Sequence, residues 1–263
     1  KGNRTVLSNC LQEAIELRLK AGEQVILFLN RKGYASVISC RACGHVIKCL
    51  HCDVPLTYYN NGRLICHYCG FDREELRSCP KCNSPYIGGF YAGTQQVEQM
   101  VKKFFPKART LRMDADTTRG KDKSERILKA FSAEKADILI GTQMIVKGHN
   151  FSKVTLVGVI AADMTLFASN YRAAERTYQL LAQAISCAAQ RELLGEVVIQ
   201  TYYPEHYSIK AALSQDYEAF YEKEIDSREL MNYPPVSNLL AVRASCDRED
   251  HLQNAMDYIR RYL

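Results

Sequence analysis

The sequence lacks three features, and each absence excludes a class of protein. No run of about 18 apolar residues is present, so we expect no segment that spans a membrane. No secretory signal peptide is present, so the 11 cysteines are not expected to form the disulfide framework of a secreted protein. No G-x-x-x-x-G-K-[ST] motif is present either, so the chain is not expected to cradle a nucleoside triphosphate by itself.

The charge and the length restrict the possible functions and the domain organisation less. A formal net charge of +6 on 263 residues permits a nucleic-acid partner without requiring one, because many solvated surfaces carry as much. A hydrophobic content of 47% is ordinary for a chain that buries a core, and the length suggests about one to three domains. The chain begins without Met, so we expect it to be a fragment.

Eight of the 11 cysteines form four C-x-x-C pairs in a short segment. A two-residue spacer lets a tight turn aim both thiolates at one point, and four thiolates complete one tetrahedral zinc site. The sequence therefore predicts two zinc ions. The pairs are Cys40/Cys43, Cys49/Cys52, Cys66/Cys69 and Cys79/Cys82.

The spacing of the pairs suggests a nested arrangement. The segment between Cys52 and Cys66 is typical of two short strands around an Asn61-Gly62 turn, which is the shape of a zinc ribbon. This favours an inner site formed by the two middle pairs and an outer site formed by the first and last pairs. Sequential pairing remains an alternative on spacing alone. The inner site would be Cys49, Cys52, Cys66 and Cys69, and the outer one Cys40, Cys43, Cys79 and Cys82.

The rest of the chain alternates between strand and helix patterns, which predicts an α/β fold with a parallel sheet flanked by helices. Strands are predicted over 24–30, 88–94, 108–116, 137–142, 154–163 and 196–202, and helices over 6–20, 95–105, 124–133 and 171–190. The zinc module, 39–87, would interrupt a domain made of 1–38 and 88–204. Residues 205–263, with a strand over 238–245, would begin a partial C-terminal α+β domain.

Two loops of this α/β domain suit the binding of phosphate. Gly93-Thr94 and Gly141-Thr142 each follow a predicted strand, and Lys147-Gly148 adds a cation nearby. Ligands of open parallel sheets bind beyond the carboxyl ends of the strands. Either pair alone reads as an ordinary strand end, but together, on adjacent units, they indicate contact with phosphate.

At this point the motifs resemble one family. The segment CRACGHVIKCLHCDVPLTYYNNGRLICHYCG, the later CPKC, AGTQQVE, DILIGTQMIVKGHNF and YRAAERTYQLLAQ are similar to the PriA family of primosomal replication-restart DNA helicases, in superfamily 2. The resemblance covers essentially the whole chain. It implies the second RecA-like lobe of an ATP-dependent 3′-to-5′ helicase that restarts stalled forks and loads the primosome, with the double zinc-ribbon insertion and the start of the C-terminal domain.

The resemblance also implies roles and partners. It pairs the first cysteine pair with the fourth and the second with the third. It implies two zinc ions, ATP and Mg in the full-length protein, forked and single-stranded DNA, primosome proteins and single-strand DNA-binding protein as partners, no membrane, and a cytoplasmic, nucleoid-associated location in bacteria. The residues expected to contact DNA or couple it to ATP are Gly93, Thr94, Gly141, Thr142, Gln143, Lys147, Gly148 and Gln183.

The chain departs from the family where arginines should complete the ATP site. The pattern Q-V-x-G-R-A-G-R is replaced, so that Cys187 and Gln190 stand for arginines and Ser186 and Ala189 for glycines. Neither side chain replaces a guanidinium, and Arg191 is a possible substitute turned by about 100° on a helix. No catalytic residue is therefore assigned. Smaller departures are Asn150 and Asn170 for Asp, and Gln95 for Glu.

Two hypotheses follow for function. The first is the motor-lobe fragment of a helicase, and the isolated chain is then predicted to show no ATPase. The alternative is a zinc-bearing DNA- or protein-binding homologue that has lost hydrolysis. For the zinc module, Tyr58, Tyr59 and Tyr68 with Arg63 are candidates for base stacking or, equally, for the module's core. Arg31 and Lys32 are candidates for additional DNA charge.

Overall fold

The computed structural model describes most of the chain and divides it into two compact units, Lys1–Tyr221 and Glu222–Leu263. The described residues are 5–29, 36–40, 42–51, 55–58, 62–66, 69–89, 93–114, 117–118, 122–142, 145, 151–166, 170–189, 195–240, 242, 244 and 246–262. Within these residues, no helix combines the length and the apolar character that crossing a bilayer requires.

The described elements alternate along the chain much as the patterns predicted. The helices are α1 (Asn9–Lys20), α2 (Thr94–Phe104), α3 (Lys123–Ser132), α4 (Asp163–Leu166), α5 (Ala173–Ala189), α6 (Tyr207–Ser214), α7 (Tyr217–Leu230) and α8 (Glu249–Tyr262). The strands are β1 (Gln24–Leu29), β2 (Ser36–Cys40), β3 (Thr57–Tyr58), β4 (Arg63–Ile65), β5 (Asp72–Glu74), β6 (Ile87–Gly89), β7 (Thr110–Met113), β8 (Ile138–Gly141), β9 (Val154–Ile160) and β10 (Glu196–Ile199).

Five strands form the parallel sheet of the first unit, in the order β10-β9-β1-β8-β7. Strand β1 lies at the centre, where Val25 pairs with Ile138 of β8 on one side and with Leu156 of β9 on the other. All six side chains of β1 are buried, as expected for a strand covered on both faces. The predicted α/β fold with a parallel sheet is confirmed.

Helices cover both faces of this sheet, and alternate residues of each strand supply the two cores. Ile26 and Phe28 of β1 pack with Phe131 of α3 and with residues of α5. Val25 and Leu27 point the other way and pack with Leu11 of α1 and with α2. The side chains of successive strand residues point to opposite faces, so one short apolar run serves both cores.

The zinc module is a second sheet, antiparallel, in the order β5-β4-β3-β2-β6. The predicted hairpin is present, since β3 pairs with β4 and Gly62 in the connection has a φ of +78°. The sequence predicted that residues 88–94 belong to the α/β domain. This prediction is wrong for residues 88 and 89, which lie in strand β6 of the zinc module. Its Gly89 pairs with Ile38 of β2, because the strands that enter and leave the insertion hydrogen-bond to each other.

The second unit, Glu222–Leu263, contains the end of α7 and the whole of α8, and the described residues between them are turns and irregular backbone. Arg228 of α7 pairs with Glu224, and its Nη1 donates to the carbonyl of Pro234 at 2.8 Å, which ties the helix to the turn that follows it. The strand predicted over 238–245 is wrong in the described residues of that stretch, which have no strand. Leu240 is exposed there, and the described residues offer no neighbouring strand to satisfy its backbone groups.

Candidate functional site

Four cysteines of the predicted outer site lie together in the zinc module. Cys40 Sγ lies 3.6 Å from Cys82 Sγ, and Cys43 Sγ lies 3.7 Å from Cys79 Sγ. All four sulfur atoms lie within 4.8 Å of one another. With Zn–S bonds of about 2.3 Å, the sulfur atoms of a tetrahedral site are about 3.8 Å apart. These distances therefore fit a zinc ion.

Tight turns aim these thiols, as the two-residue spacers predicted. Gly44 has a φ of +74° and its N–H donates to the Cys40 carbonyl at 2.8 Å. Asn83 has a φ of +55° and bonds in the same way to Cys79. We call each C-x-x-C turn with the residue that follows it a knuckle. The left-handed residue after the second cysteine reverses the chain, so both thiols point inward.

The charges of the outer cluster also suit a cation. Burial by itself would raise the pKa of Cys40, but the N–H groups of Cys43 and Ala42 and a hydrogen bond from Cys82 lower it to about 7. The N–H of Ser84 lowers the pKa of Cys82, but hydrogen bonds with the neighbouring cysteines outweigh it and raise the pKa to about 12. One thiolate thus forms readily, while further negative charge requires a compensating cation.

The predicted inner site is described in part. Cys49 Sγ lies 3.6 Å from Cys69 Sγ, and Cys66 is buried in the core of the module. Cys52 lies outside the described residues. His51 Nδ1 lies 3.9 Å from Cys69 Sγ, so the structure brings a histidine beside this site that the sequence did not single out as a ligand. Its position in the middle of a C-x-x-C spacer was the available signal.

The predicted phosphate loops meet at one end of the parallel sheet. We call this end, where β1 and β7–β10 finish, the carboxyl edge. A Cβ on Gly141 would lie 2.4 Å from the carbonyl oxygen of Met113, so only glycine permits this approach of β8 to β7. The N–H of Thr142 donates to that same carbonyl at 3.3 Å. Thr142 is half-buried, and its N–H is committed to the sheet, so its hydroxyl is the group left to contact a ligand.

Thr94 is held at the same edge by a residue that the sequence did not single out. Its hydroxyl donates to the carboxylate of Asp114, which directly follows β7, and the Thr94 side chain is only 1% exposed. Asp114 also accepts from the N–H of Thr117 at 2.9 Å and lies 3.3 Å from Arg112 Nε. Burial raises the pKa of Asp114, but these partners lower it overall. The acid at the end of a predicted strand was the signal.

This arrangement leaves backbone donors, not the Thr94 hydroxyl, for a phosphate. Gly93 is the N-cap of α2, and glycine has no side-chain group that could accept a capping bond. The N–H groups of the first turn of α2 lack intrahelical acceptors, and a helix N-terminus with such groups attracts anions. Among the predicted residues, Gln143, Lys147 and Gly148 lie outside the described part of the chain.

Two of the residues predicted to lie on the ATP side, Gln183 and Cys187, are described, and they differ in exposure although both lie on helix α5. Gln183 is exposed, on the same face as Arg176, Gln179 and Ser186. Cys187 is only 6% exposed and lies in the larger apolar core. Its side chain therefore faces the sheet and α6, not solvent. Gln190 and Arg191 lie outside the described residues.

Other sequence candidates have local structural roles where they are described. Asn170 accepts from the N–H of Arg172 at 2.9 Å ahead of α5, a bond that aspartate would also make. Tyr58 is half-buried against the core of the zinc module, which favours a structural role for it. Arg63 Nε donates to Asp72 at 2.8 Å. Tyr59, Tyr68, Arg31, Lys32 and Asn150 lie outside the described residues.

Comparison with known proteins agrees with these features. The Cys-rich region domain of the PriA DNA helicase matches residues 49–73. Replication restart protein PriA of Bacillus subtilis is 49% identical over 245 residues, which cover 93% of this chain and 30% of that protein. The PriA proteins of Synechocystis and Haemophilus influenzae are 42% and 38% identical, over 98% and 96% of this chain and 32% and 35% of theirs.

Solved structures show weaker similarity. The yeast Dbp5 L327V structure with RNA and ADP BeF3 has a TM-score of 0.37 at 10% identity, over 86% of this chain and 44% of that one. The C-terminal part of the Fun30 ATPase domain has a TM-score of 0.38 at 11% identity, over 89% of this chain and 57% of that one. The sequence relatives are far more similar, and the chain spans about a third of their length. With the zinc ribbon and the parallel sheet both in place, this chain belongs to the PriA family of replication restart proteins.

Proposed function

We propose that the chain is the second RecA-like motor lobe, with its zinc insertion, of an ATP-dependent 3′-to-5′ DNA helicase that restarts stalled replication forks and loads the primosome. The observation that carries this proposal is the carboxyl edge, where Thr94 at the start of α2 bonds to Asp114 after β7, and Thr142 follows the adjacent strand β8. The relatives, which are named replication restart proteins, favour this function over a homologue without hydrolysis.

On the DNA side, the donors suit phosphates and not bases. The first-turn N–H groups of α2 and the Thr142 hydroxyl are short, fixed donors, and backbone amides carry no base-specific pattern. Asp114 keeps the Thr94 hydroxyl turned inward, so that the N–H groups at the start of α2 contact the DNA strand. Binding by this edge is therefore independent of sequence, and it weakens as salt rises.

On the nucleotide side, this chain supplies half of a site. Without a G-x-x-x-x-G-K-[ST] loop, the isolated chain has no ATPase activity under this proposal. In the full-length protein, Mg would neutralise phosphate charge. Residues Gly141 to Gly148 couple the DNA edge to the nucleotide in this proposal, and Gln183, which is exposed on α5, takes part in the same coupling. Cys187 provides no cation, because a thiol is neutral or anionic, and its side chain is buried.

The zinc module holds two zinc ions in this proposal. Cys40, Cys43, Cys79 and Cys82 hold one, and Cys49, Cys52, Cys66 and Cys69 the other. Bound zinc supplies folding free energy to a segment with few buried side chains. The family relationship supports forked and single-stranded DNA, primosome proteins and single-strand DNA-binding protein as partners, in the bacterial cytoplasm at the nucleoid.

The DNA part is tested by titrating a labelled single-stranded oligonucleotide at two salt concentrations. Thr142→Ala removes one hydroxyl at the carboxyl edge and should weaken binding by about threefold to tenfold, the value of one hydrogen bond. Ser132→Ala is the matched control, because it removes an exposed hydroxyl at the end of α3, at the opposite edge of the sheet. Equal affinities for both variants would contradict the proposed contact.

The motor part is tested in the full-length parent and in the chain by itself. DNA-stimulated ATPase and unwinding of forked DNA by the parent are expected, with a loss of coupling between them in the Thr142→Ala variant. Robust ATP turnover by the purified 263-residue chain would contradict the assignment to half of a motor.

A further inference from the structure

The first zinc knuckle lies directly against the carboxyl edge of the parallel sheet. A Cβ on Gly44 would lie 2.9 Å from Cδ1 of the Tyr202 ring and 3.2 Å from its Cβ. The next residue, Tyr203, donates its hydroxyl to the carbonyl of Gly44 at 3.4 Å. The turn of Cys40 and Cys43 is therefore held against the segment after β10 by contacts between the Gly44 backbone and the two tyrosines.

A buried carboxylate holds that segment in place. Asp163 is the first residue of α4, shortly after the end of β9, and only 7% of its surface is exposed. One of its oxygens accepts from the Thr201 hydroxyl and the other from the N–H of Tyr202 at 2.9 Å. Asp163 therefore fixes the backbone on which both tyrosines stand. Its position at the end of a predicted strand did not reveal this role.

Gly70, the left-handed glycine of another knuckle, makes no such contact with the described residues. Gly70 has a φ of +72°, against +74° for Gly44, and its N–H donates to Cys66 as that of Gly44 does to Cys40. A Cβ on Gly70 would meet no atom within 4 Å. Gly44 and Gly70 are thus alike in backbone conformation, but within the described residues Gly44 contacts the segment after β10 and Gly70 does not.

We propose that the first knuckle is part of the carboxyl edge, with Asp163 as the positioning residue that holds it there through Thr201 and Tyr202. Metal at Cys40, Cys43, Cys79 and Cys82 then stabilises the edge at β9 and β10, and the knuckle of Gly70 does not. Because the coupling is reciprocal, a change at Tyr202 loosens the knuckle, and a change at the knuckle loosens the Tyr202 segment.

Hydrogen exchange of the zinc-loaded chain, followed by mass spectrometry, tests this coupling. Gly44→Ala and Gly70→Ala impose the same backbone strain, and native mass spectrometry checks that zinc is retained. Gly44→Ala should accelerate exchange in 199–204 by at least about tenfold, equivalent to 1.4 kcal/mol of local opening. Gly70→Ala should leave that segment unchanged. Equal effects of the two variants on 199–204 would overturn the proposal.

Variants on the lobe test the reverse direction and leave all knuckle residues intact. Tyr202→Ala should accelerate exchange in 42–47 about tenfold and leave 69–72 unchanged. Asp163→Ala should do the same. Asp163→Asn should restore slow exchange, because its oxygen still accepts from Tyr202 while its amide donates to Thr201. Unchanged exchange in 42–47 in Tyr202→Ala, or failure of Asn to rescue where Ala disrupts, would show that Asp163 does not position the knuckle.

Discussion

The two sheets of this chain are held together by different means. The parallel sheet has apolar cores on both faces, and its central strand is completely buried. The core cluster of the zinc module contains six buried residues among those described, two of which are cysteines. A segment of this size buries too little apolar surface to offset its conformational entropy. The first region is thus specified by hydrophobic pattern and the second by thiols that bind metal.

Metal removal should give the largest difference between the two regions. Structural zinc contributes about 10–16 kcal/mol of apparent free energy per site, so chelation should unfold 36–89. The cores around β1, β8 and β9 do not depend on thiols and should remain protected. Hydrogen exchange before and after chelation measures both. Simultaneous unfolding of β1 with the module would contradict independent stabilisation.

Zinc retention by the module is also expected to depend on pH. Zinc binds thiolates, so each binding event releases the protons that the free thiols hold, and affinity falls as the pH is lowered. The Cys40 pKa of about 7 places part of this loss near neutrality. Competition with a chelator between about pH 8 and about pH 6 should show progressively weaker zinc retention, without loss of the parallel sheet.

A charge introduced into the large core is expected to have the next largest effect. Cys187→Arg restores the residue of the family pattern, but the side chain at 187 packs in the apolar core. An unpaired buried charge costs about 3–5 kcal/mol, so thermal unfolding should shift to a much lower temperature. Ser186→Arg is the control, because the adjacent residue is exposed on the same helix. Equal stability of the two variants would show that position 187 reaches solvent.

The two sheets should differ in how well they tolerate one added methyl group. Gly141→Ala places a Cβ 2.4 Å from a backbone oxygen of the parallel sheet, and backbone yields little, so we expect a loss of about 3 kcal/mol in unfolding free energy. Gly88→Ala in β6 of the zinc module meets no atom within 4 Å. Chemical denaturation of both variants measures the difference. A neutral Gly141→Ala would mean that β7 and β8 separate easily.

The smallest expected effect concerns Asp114. Its partners lower its pKa, so the ionised carboxylate contributes stability above its ordinary pKa of about 3.9 and loses it as the pH falls through the lowered value. Asp114→Asn should cost about 1–2 kcal/mol near neutrality and little in acid, where the aspartate is itself neutral. Unfolding at both pH values measures this. A cost that is independent of pH would contradict the role of charge.

Much of the fold could be predicted because local patterns and tertiary environment agree. The run over 25–29 is apolar throughout, and it lies in the central strand of the sheet. The alternation between strands and helices predicted the parallel sheet. The predictions were wrong where the neighbouring strand decides whether a segment forms a strand and which sheet it joins. Strand β6 belongs to the zinc module because β2 lies beside it, and the apolar stretch after 238 has no described strand to pair with.

The site was predictable to the extent that its residues carry a spacing. The cysteines of the outer cluster were predictable because a two-residue spacer dictates a turn, and Gly44 follows with the required φ. For Asp114 and Asp163 the position at a strand end was visible in the sequence, but their hydrogen-bond partners were not predictable, since no spacing links a carboxylate to a distant partner. The inward direction of Cys187 was also not predictable, because a family pattern states the residue type and not the face of the helix that it occupies.

The sequence by itself determined the type of each region: a parallel α/β lobe from its apolar periodicity, and a zinc-binding insertion from its paired cysteines. Only the tertiary structure decided which groups meet. It places Thr94 against Asp114, Gly141 against Met113, and Gly44 against Tyr202, and the last two residues are 158 positions apart in the chain. The reason is physical: periodicity and turn chemistry act over a few residues, whereas buried hydrogen bonds and close contacts depend on how whole elements pack.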